Sequence, residues 1–408
     1  MTQTYKYICQ MALGYATYGS KYYQAEEVYE IIKDCLEWMT DNYYYVGYTW
    51  QPTGKNNWWD WGIGTPAQLL DTLIVMRDKF SLEEIQDYLG YFEAKYSKPQ
   101  STGANWANYS VQILCSGALQ KDAERAMVGL SAFEKMYLYV DDNERITESF
   151  LDNERAAYTQ IKGAGFFTDG SYVYHTLHPM NHTYGADHFA KLCLMESVTA
   201  GTVFEINSPQ RNNLVEFFFN NLHTTIYDGT KTFLMFMGRH TQNDELGNGT
   251  GVYGHMLECA DNFSNEVSEK IYAAIKGAYE ESPDSRWGDF LTFDTAEKFT
   301  ALISNEAVEA NAERNWNKVY YNQDTIVHLK EDWAVGIKMS SSRIFNYESI
   351  NNENLEGWYL GDGRTEYFIK GIDIGSTSAY WAAIDKYRLP GTTVDTQERQ
   401  AVSVDQGN

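Results

Sequence analysis

No two of the five cysteines (Cys9, Cys35, Cys115, Cys193, Cys259) form a CxxC pair, and several fall on apolar helical stripes. They read as buried thiols rather than a disulfide framework or a zinc site. Basic charge is also scarce: 32 Lys and Arg stand against 56 Asp and Glu, a formal net charge of −24. Phosphate binding needs a basic footprint, so a nucleic-acid partner is disfavoured. An anionic substrate would have to be attracted locally, by a few arginines and backbone donors, against the overall field. No apolar run is long enough to span a membrane, and none is expected as a partner. The opening Met1-Thr-Gln-Thr-Tyr-Lys enters an amphipathic helix with no signal-peptide h-region, which fits a cytoplasmic protein or an export signal outside these residues. A strict repeat is missing too, which argues against a coded solenoid.

What the chain does have is apolar and aromatic bulk. Its hydrophobic fraction of 43% can supply a large core over 408 residues, a length that suits two or three domains. Aromatics reach 15%, with 32 Tyr and 11 Trp. Such rings serve core packing and equally suit stacking on sugar faces.

From residue 4 to about 310 the apolar periodicity is helical, in pairs joined by short turns. Ala25, Val28, Ile31, Ile32, Cys35, Leu36 and Met39 make one stripe. Thr65-Pro66 has the form of an N-cap with proline at N1, and Ser81 with Glu84 the form of a capping box. Further helices are expected after Gly103 and near 121–136, 186–200, 210–222, 264–281 and 294–304. Successive pairs closing into a toroid fit this pattern. After about 315 the period changes to two: Trp333, Val335, Ile337 and Met339 alternate with Ala334, Gly336 and Lys338. Ile344 to Tyr347, Trp358 to Leu360 and Glu366 to Ile369 also read as strands. The expectation is an α+β multidomain chain, with a helical α/α toroid over 1–312 and the start of an antiparallel β-sandwich, incomplete at its end, over 313–408.

The chemistry centres on 165–185, where His175 and Tyr184 lie nine residues apart around Pro179. That is too far for one helix face, so an ordered loop is expected. Ala186, Phe189, Ala190, Cys193 and Leu194 then begin a helix, which would set Tyr184 at an N-terminus whose dipole favours a phenolate. An imidazole and a phenol suit proton transfer; a hydrogen-bonded pair under a lid is the plainer alternative. Trp58 and Trp59, at a helix start, are a sugar-stacking platform or core. Asn105 is a site residue or a cap, and Arg239 a partner for a carboxylate of substrate or protein. The segment 346–363, with Glu348 and Asn351, is too dense in amides, acids and glycines for an ordinary strand connection.

Together these segments resemble the polysaccharide lyase family that includes hyaluronate, chondroitin AC and xanthan lyases. The resemblance spans nearly the whole chain. It comprises NWWDW-x-IGTP at 57–66, TGAN at 102–105, DGS-x3-H ending at His175, and Tyr184-Gly185. It continues through GR at 238–239, NYE-x2-N-x-EN-x2-GWY-x-GDG at 346–363, and Leu389-Pro-Gly-Thr-Thr393. It implies a toroid followed by β-sandwich domains, and β-elimination on an anionic, uronate-containing polysaccharide without metal or cofactor. It further implies a monomer acting extracellularly or in the periplasm. Residue by residue, Asn105 would bind the uronate carboxylate, His175 assist at the acidic carbon, and Tyr184 take the C5 proton and return one to O4. Arg239 would orient tyrosine and sugar, Glu348 and Asn351 shape the site, and Trp58 and Trp59 stack on sugars. Whether His175 or Tyr184 is the base stays open.

The chain departs from the family pattern at four places. Gly62 stands where a glutamate is usual and Trp106 where an arginine is usual. Asn243, kept as a substrate-binding candidate, replaces a second arginine, and His178-Pro-Met-Asn-His182-Thr183 replaces a Tyr-x-Gly-x segment. Fewer arginines bear on recognition of sulfated chains more than on elimination itself. Three rival readings remain: a glycoside hydrolase using Asp169 and Glu348, a metal site from His175, His178, His182 and His188, and an inactive carbohydrate-binding relative.

Overall fold

A computed structural model describes residues 1–50, 57–141, 164–175, 177–240, 249–311, 315–341, 344–372, 383–393, 395 and 397–400. The described residues form two compact units: Met1–Ser101 with Asn105–Glu134, and Thr102–Ala104 with Lys135–Asn408.

The first unit is helical: α1 Thr2–Ala16, α2 Glu26–Asn42, α3 Thr65–Val75, α4 Leu82–Lys95, α5 Gly103–Gln120 (from Asn105 on) and α6 Ala123–Glu134. In α2 the expected stripe buries Ile32, Leu36 and Met39, while Ile31 is half exposed. The capping box at α4 is formed, with Ser81 Oγ accepting from Glu84 N at 3.2 Å and Glu84 Oε2 accepting from Ser81 N at 2.8 Å. Thr65 is no cap. A wide π turn, Asp60–Gly64, already runs helically into α3, so Thr65 is an interior residue and only Pro66 keeps its expected place near the start. Aromatic residues fill this core. Trp61 stacks on Tyr48 with centroids 4.9 Å apart, and Tyr44 Oη donates to Trp61 O at 3.0 Å. Truncating a tryptophan buried this way to alanine typically costs about 3–5 kcal/mol.

The second unit begins with a small antiparallel sheet in the order β1 Gly165–Phe166, β2 Tyr172–Tyr174, β3 His178–Pro179. Helix α7, Ala186–Thr199, follows, then irregular helix over 213–222 and the hairpin β4 Ile226–Tyr227 with β5 Lys231–Thr232. Helices α8 Gly249–Cys259, α9 Asn265–Glu281 and α10 Phe293–Ile303 lead to a four-stranded antiparallel sheet. Its order is β6 Trp316–Tyr320, β7 Thr325–Leu329, β8 Trp333–Met339, β9 Asp362–Ile369.

The alternation along β8 is real, but its faces are the reverse of what hydrophobicity suggests: Ala334, Gly336 and Lys338 point inward, whereas Trp333, Ile337 and Met339 are exposed. At Gly336 crowding is the reason. A Cβ on Gly336 would come within 2.9 Å of Phe233 and 2.8 Å of Met235, so only small residues fit against those side chains.

Two expected strands are not formed. Gly357–Tyr359 is a 3-10 turn, and around Ile344 only an isolated bridge to Ser341 exists. Asn346 redirects both stretches: its side-chain amide donates to Trp358 O at 2.8 Å and its side-chain oxygen accepts from Gly361 N at 2.6 Å. A ladder is replaced by a side-chain clamp.

Candidate active site

Strand β2 delivers Tyr174 and His175 to one end of the small sheet. His175 turns the chain with φ +41°, in the left-handed region that is costly for a side chain larger than glycine's. After β3 the chain enters a π turn, Asn181–Gly185, in which Gly185 N donates to Met180 O at 2.8 Å. Tyr184 therefore lies in the wide turn that feeds α7, two residues before the α-helix proper. Such turns are rare and recur at functional sites. Gln323 pins the arrangement from outside, donating to Tyr172 O and to Asn181 Oδ1, both at 2.6 Å.

The half-buried Tyr184 ring is enclosed by three neighbours. Tyr174 stacks on it at 4.3 Å and 26°, His175 meets it edge-on at 4.9 Å, and Arg239 lies over it with Cζ 5.9 Å from the centroid. Tyr174 is itself fixed by its hydroxyl, which donates to Thr102 O at 3.0 Å.

Glu348 ties these groups together from the far end of the unit's sequence. One carboxylate oxygen accepts from His175 Nδ1 at 2.5 Å; the other accepts from Arg239 N at 3.1 Å, and Arg239 Nη1 reaches both at 3.3 Å. Arg239 also pairs through Nε with Glu353. Burial alone would raise the Glu348 carboxyl. The hydrogen bond from His175 and the charges of His175 and Arg239 outweigh it and hold the group at about 2. Burial likewise opposes the charge on Arg239, but Glu348 and Tyr184 reverse the effect and raise it above the usual arginine value.

Tyr184 goes the other way from the expectation of a favoured phenolate. Burial raises the phenol above its usual value, and the charge and hydrogen bond of Arg239 pull it only part of the way back. Gly238 makes the close approach of Arg239 to Glu348 possible. Its φ is +59°, and a Cβ there would lie 2.9 Å from Met180 Cε and 3.0 Å from Glu348 Oε2.

The remaining candidates have different settings. Asn351 is exposed, with φ +58°. Asn243 lies outside the described residues. In the first unit Asn105 is buried in the first turn of α5, and Trp58 and Trp59 are 41% and 42% exposed while Trp61 is core. The backbone nitrogen of Trp59 is held by Asn57 Oδ1 at 2.9 Å. Where relatives carry a glutamate, Gly62 leaves no room for one: a Cβ would lie 2.2 Å from Tyr109 Oη and 2.8 Å from Tyr96 Oη. Trp106 Nε1 donates to Ala132 O at 3.0 Å.

Sequence reasoning missed Glu353 as the second partner of Arg239, His240, and the buried Lys338, which donates to the carbonyls of Phe345 and Asn346. Only the carboxylate of Glu353 had a readable signal, since it lies in the amide-rich segment already singled out.

The rival assignments are less well served. Asp169 is occupied as a turn acceptor from Ser171 and Asn322, and Glu348 at about 2 holds no proton to donate. His182 Nε2 bonds Thr225 Oγ1 at 2.6 Å, and His188 is shared between Tyr172 and Met136 O. Among the described residues, no group of three or more His, Cys, Asp or Glu side chains is arranged to hold a metal ion. No helix among them is long and apolar enough to cross a membrane.

Comparison with known proteins places the chain. Residues 1–277 match the sequence profile of the polysaccharide lyase family 8 N-terminal alpha-helical domain, and residues 315–408 that family's super-sandwich domain. A hyaluronate lyase, HylB, of Enterococcus faecalis is 28% identical over 408 residues, covering 97% of this chain and 39% of its own. A solved xanthan lyase of Paenibacillus superposes with a TM-score of 0.85 at 27% identity, over 99% of this chain and 37% of that one. A chondroitin AC lyase of Streptomyces coelicolor, solved with chondroitin sulphate, shares the fold with a TM-score of 0.85 at 23% identity, over 98% and 53%. The chain thus spans about two-fifths of the length of the hyaluronate lyase, and the matches describe a helical N-terminal domain followed by part of a super-sandwich β domain.

Proposed function

Because the chain belongs to polysaccharide lyase family 8, we propose that it carries the proton-transfer centre of an enzyme that cleaves uronate-containing polysaccharide by β-elimination. The proton next to a uronate carboxylate is weakly acidic, because its removal adds negative charge to an anion. Donors aimed at the carboxylate offset that charge, each worth about 1.5–3 kcal/mol. Asn105 and His175 serve here, His175 with Nδ1 committed to Glu348 and its other nitrogen left for the sugar. Tyr184, as phenolate, takes the C5 proton. The electron pair becomes the C4–C5 double bond, the C4–O4 bond breaks, and the phenol returns its proton to O4.

The observation that carries this reading is the enclosure of Tyr184 by Tyr174, His175 and Arg239, with Glu348 bridging the last two. A phenol held above its ordinary pKa is a stronger base once ionised and a ready donor at neutral pH. Trp58 and Trp59 stack on sugar rings, and Asn351 and Asn243 add amide contacts. Scarcity of arginine steers the preference towards uronates without dense sulfation, since the chain's net charge of −24 opposes strongly anionic polymers. We place the protein outside the cytoplasm, as a monomer, with the toroid over 1–312 and the β domain from 313.

The test is a panel of hyaluronan, chondroitin, xanthan-derived and other uronate chains, followed by ultraviolet absorbance of unsaturated ends. Tyr184→Phe should abolish the signal while sugar binding persists. Reducing ends formed without that absorbance would mean hydrolysis and end the proposal.

A further inference from the structure

Lys338, on the inward face of β8, is only 2% exposed. A buried ammonium must find acceptors, because an unpaired charge in the interior is prohibitively costly. This one donates to the main-chain carbonyl of Asn346 and, at 3.4 Å, to that of Phe345. Those carbonyls lie two and three residues ahead of Glu348. The stretch between has no strand ladder of its own: its holds include Lys338, Phe345 N donating to Leu177 O at 2.9 Å, the Asn346 clamp, and Asn354 Nδ2 donating to Glu348 O at 2.8 Å. Leu177 in turn lies two residues past His175.

We propose that Lys338 is a positioning residue for the elimination: by holding the carbonyls of Phe345 and Asn346, its ammonium sets where Glu348 meets His175 and Arg239. The inference rests on the lyase reading of this site and adds a support that responds to pH. Facing Lys338 are Glu366, Asp362 and Arg364 from β9, Asp324 from the β6–β7 turn, and His178 from β3. Burial is the strongest influence, and with Arg364 against the three acids it brings Lys338 down to about 7. His178 is buried as well and pushed down to about 3, so it adds no charge at neutral pH.

Loss of the lysine proton leaves an amine that still donates, but charge-assisted hydrogen bonds are roughly twice as strong as neutral ones. The hold on 345–346 therefore weakens as pH rises past about 7. Stability moves in the opposite sense. Between about 7 and the unfolded value near 10.4, the unfolded chain binds more protons, so this residue's contribution to folding rises with pH. A merely structural lysine would show only that second trend.

The experiment compares the full chain with Lys338→Met and Lys338→Gln. At pH 6 we expect Lys338→Met to lose about tenfold in kcat with KM within about twofold, and Lys338→Gln, which keeps a donor, to recover part of the loss. The wild-type to Lys338→Met kcat ratio, in which shared titrations cancel, should shrink to about threefold at pH 8.5. In parallel, proton NMR follows the downfield signal of the short His175–Glu348 hydrogen bond, identified by its absence in His175→Ala. It should shift in the wild type as pH passes about 7 and lie at the shifted position throughout in Lys338→Met. A ratio independent of pH, an effect on KM alone, or a signal indifferent to pH and to the variants would overturn the proposal. If a variant fails to fold, the wild-type titration decides by itself. If the wild type cleaves no uronate polymer, the lyase reading falls while the NMR titration still decides on Lys338.

Discussion

Replacing Glu348 with glutamine keeps its volume and removes its charge, and two routes give the size of the effect. The carboxyl is held at about 2 against about 4.3 in an unfolded chain, which corresponds to about 3 kcal/mol of stability at neutral pH. Only 1% of the side chain is exposed, so water does little to screen it. Independently, removing one partner of a buried ion pair costs about 3–5 kcal/mol, and the low end applies because Arg239 keeps Glu353. A lowered carboxyl contributes stability above its unfolded pKa and loses it as pH falls towards the folded one. The deficit of Glu348→Gln should thus be about 3 kcal/mol at pH 7, about 2 at pH 3.5 and about 1.4 at pH 3. Hydrogen exchange of peptides covering 344–360, measured on both proteins at each pH, reads this difference for the unit that contains the site, and intrinsic exchange rates cancel. A deficit that stays constant from pH 7 to 3, or none at pH 7, would show that Glu348 is not the buried anion joining His175 to Arg239.

Other expected outcomes follow from the same geometry. Tyr184→Phe should cost at least about a hundredfold in kcat with substrate binding retained, read by initial rates and calorimetry. Since burial raises the Tyr184 phenol above its ordinary value, wild-type kcat should keep climbing with pH through the neutral range, and this limb should be missing from any residual rate of the Phe variant. Gly238→Ala, with φ +59° and Glu348 Oε2 3.0 Å from the new Cβ, should destabilise by about 1–3 kcal/mol in chemical denaturation. Gly62→Ala should also destabilise because of Tyr109 and Tyr96, and adding Tyr109→Phe, which removes the hydroxyl 2.2 Å away but leaves Tyr96 Oη at 2.8 Å, should restore only part of the loss.

Helices with a continuous apolar stripe and a chemical start signal could be read from the chain, as α2 and α4 show. Helix α8 was missed because Gly249, Gly251 and Gly254 hide its stripe; it is helical through burial on nearly every side. The β6–β7 hairpin was missed because Asn317, Lys318 and His328 interrupt its apolar residues. Along β8 the period was legible and the inward face was not, since what faces Gly336 is set by Phe233 and Met235, about a hundred residues away. The site shows the same division. His175, Tyr184, Arg239 and Glu348 belong to short recognisable segments, and the second unit gathers all four. Lys338 could not be found that way: an isolated lysine in a strand normally reads as solvent-facing, and only its hydrogen bonds to Phe345 and Asn346 reveal its place.

The wide turn at Asn181–Gly185 carries a constraint on length. An α-helix advances about 100° per residue, so inserting or deleting one residue there would swing the phenol of Tyr184 roughly a quarter-turn around the axis. The number of residues between Met180 and Ala186 cannot change without pulling the Tyr184 ring out of the enclosure formed by Tyr174, His175 and Arg239.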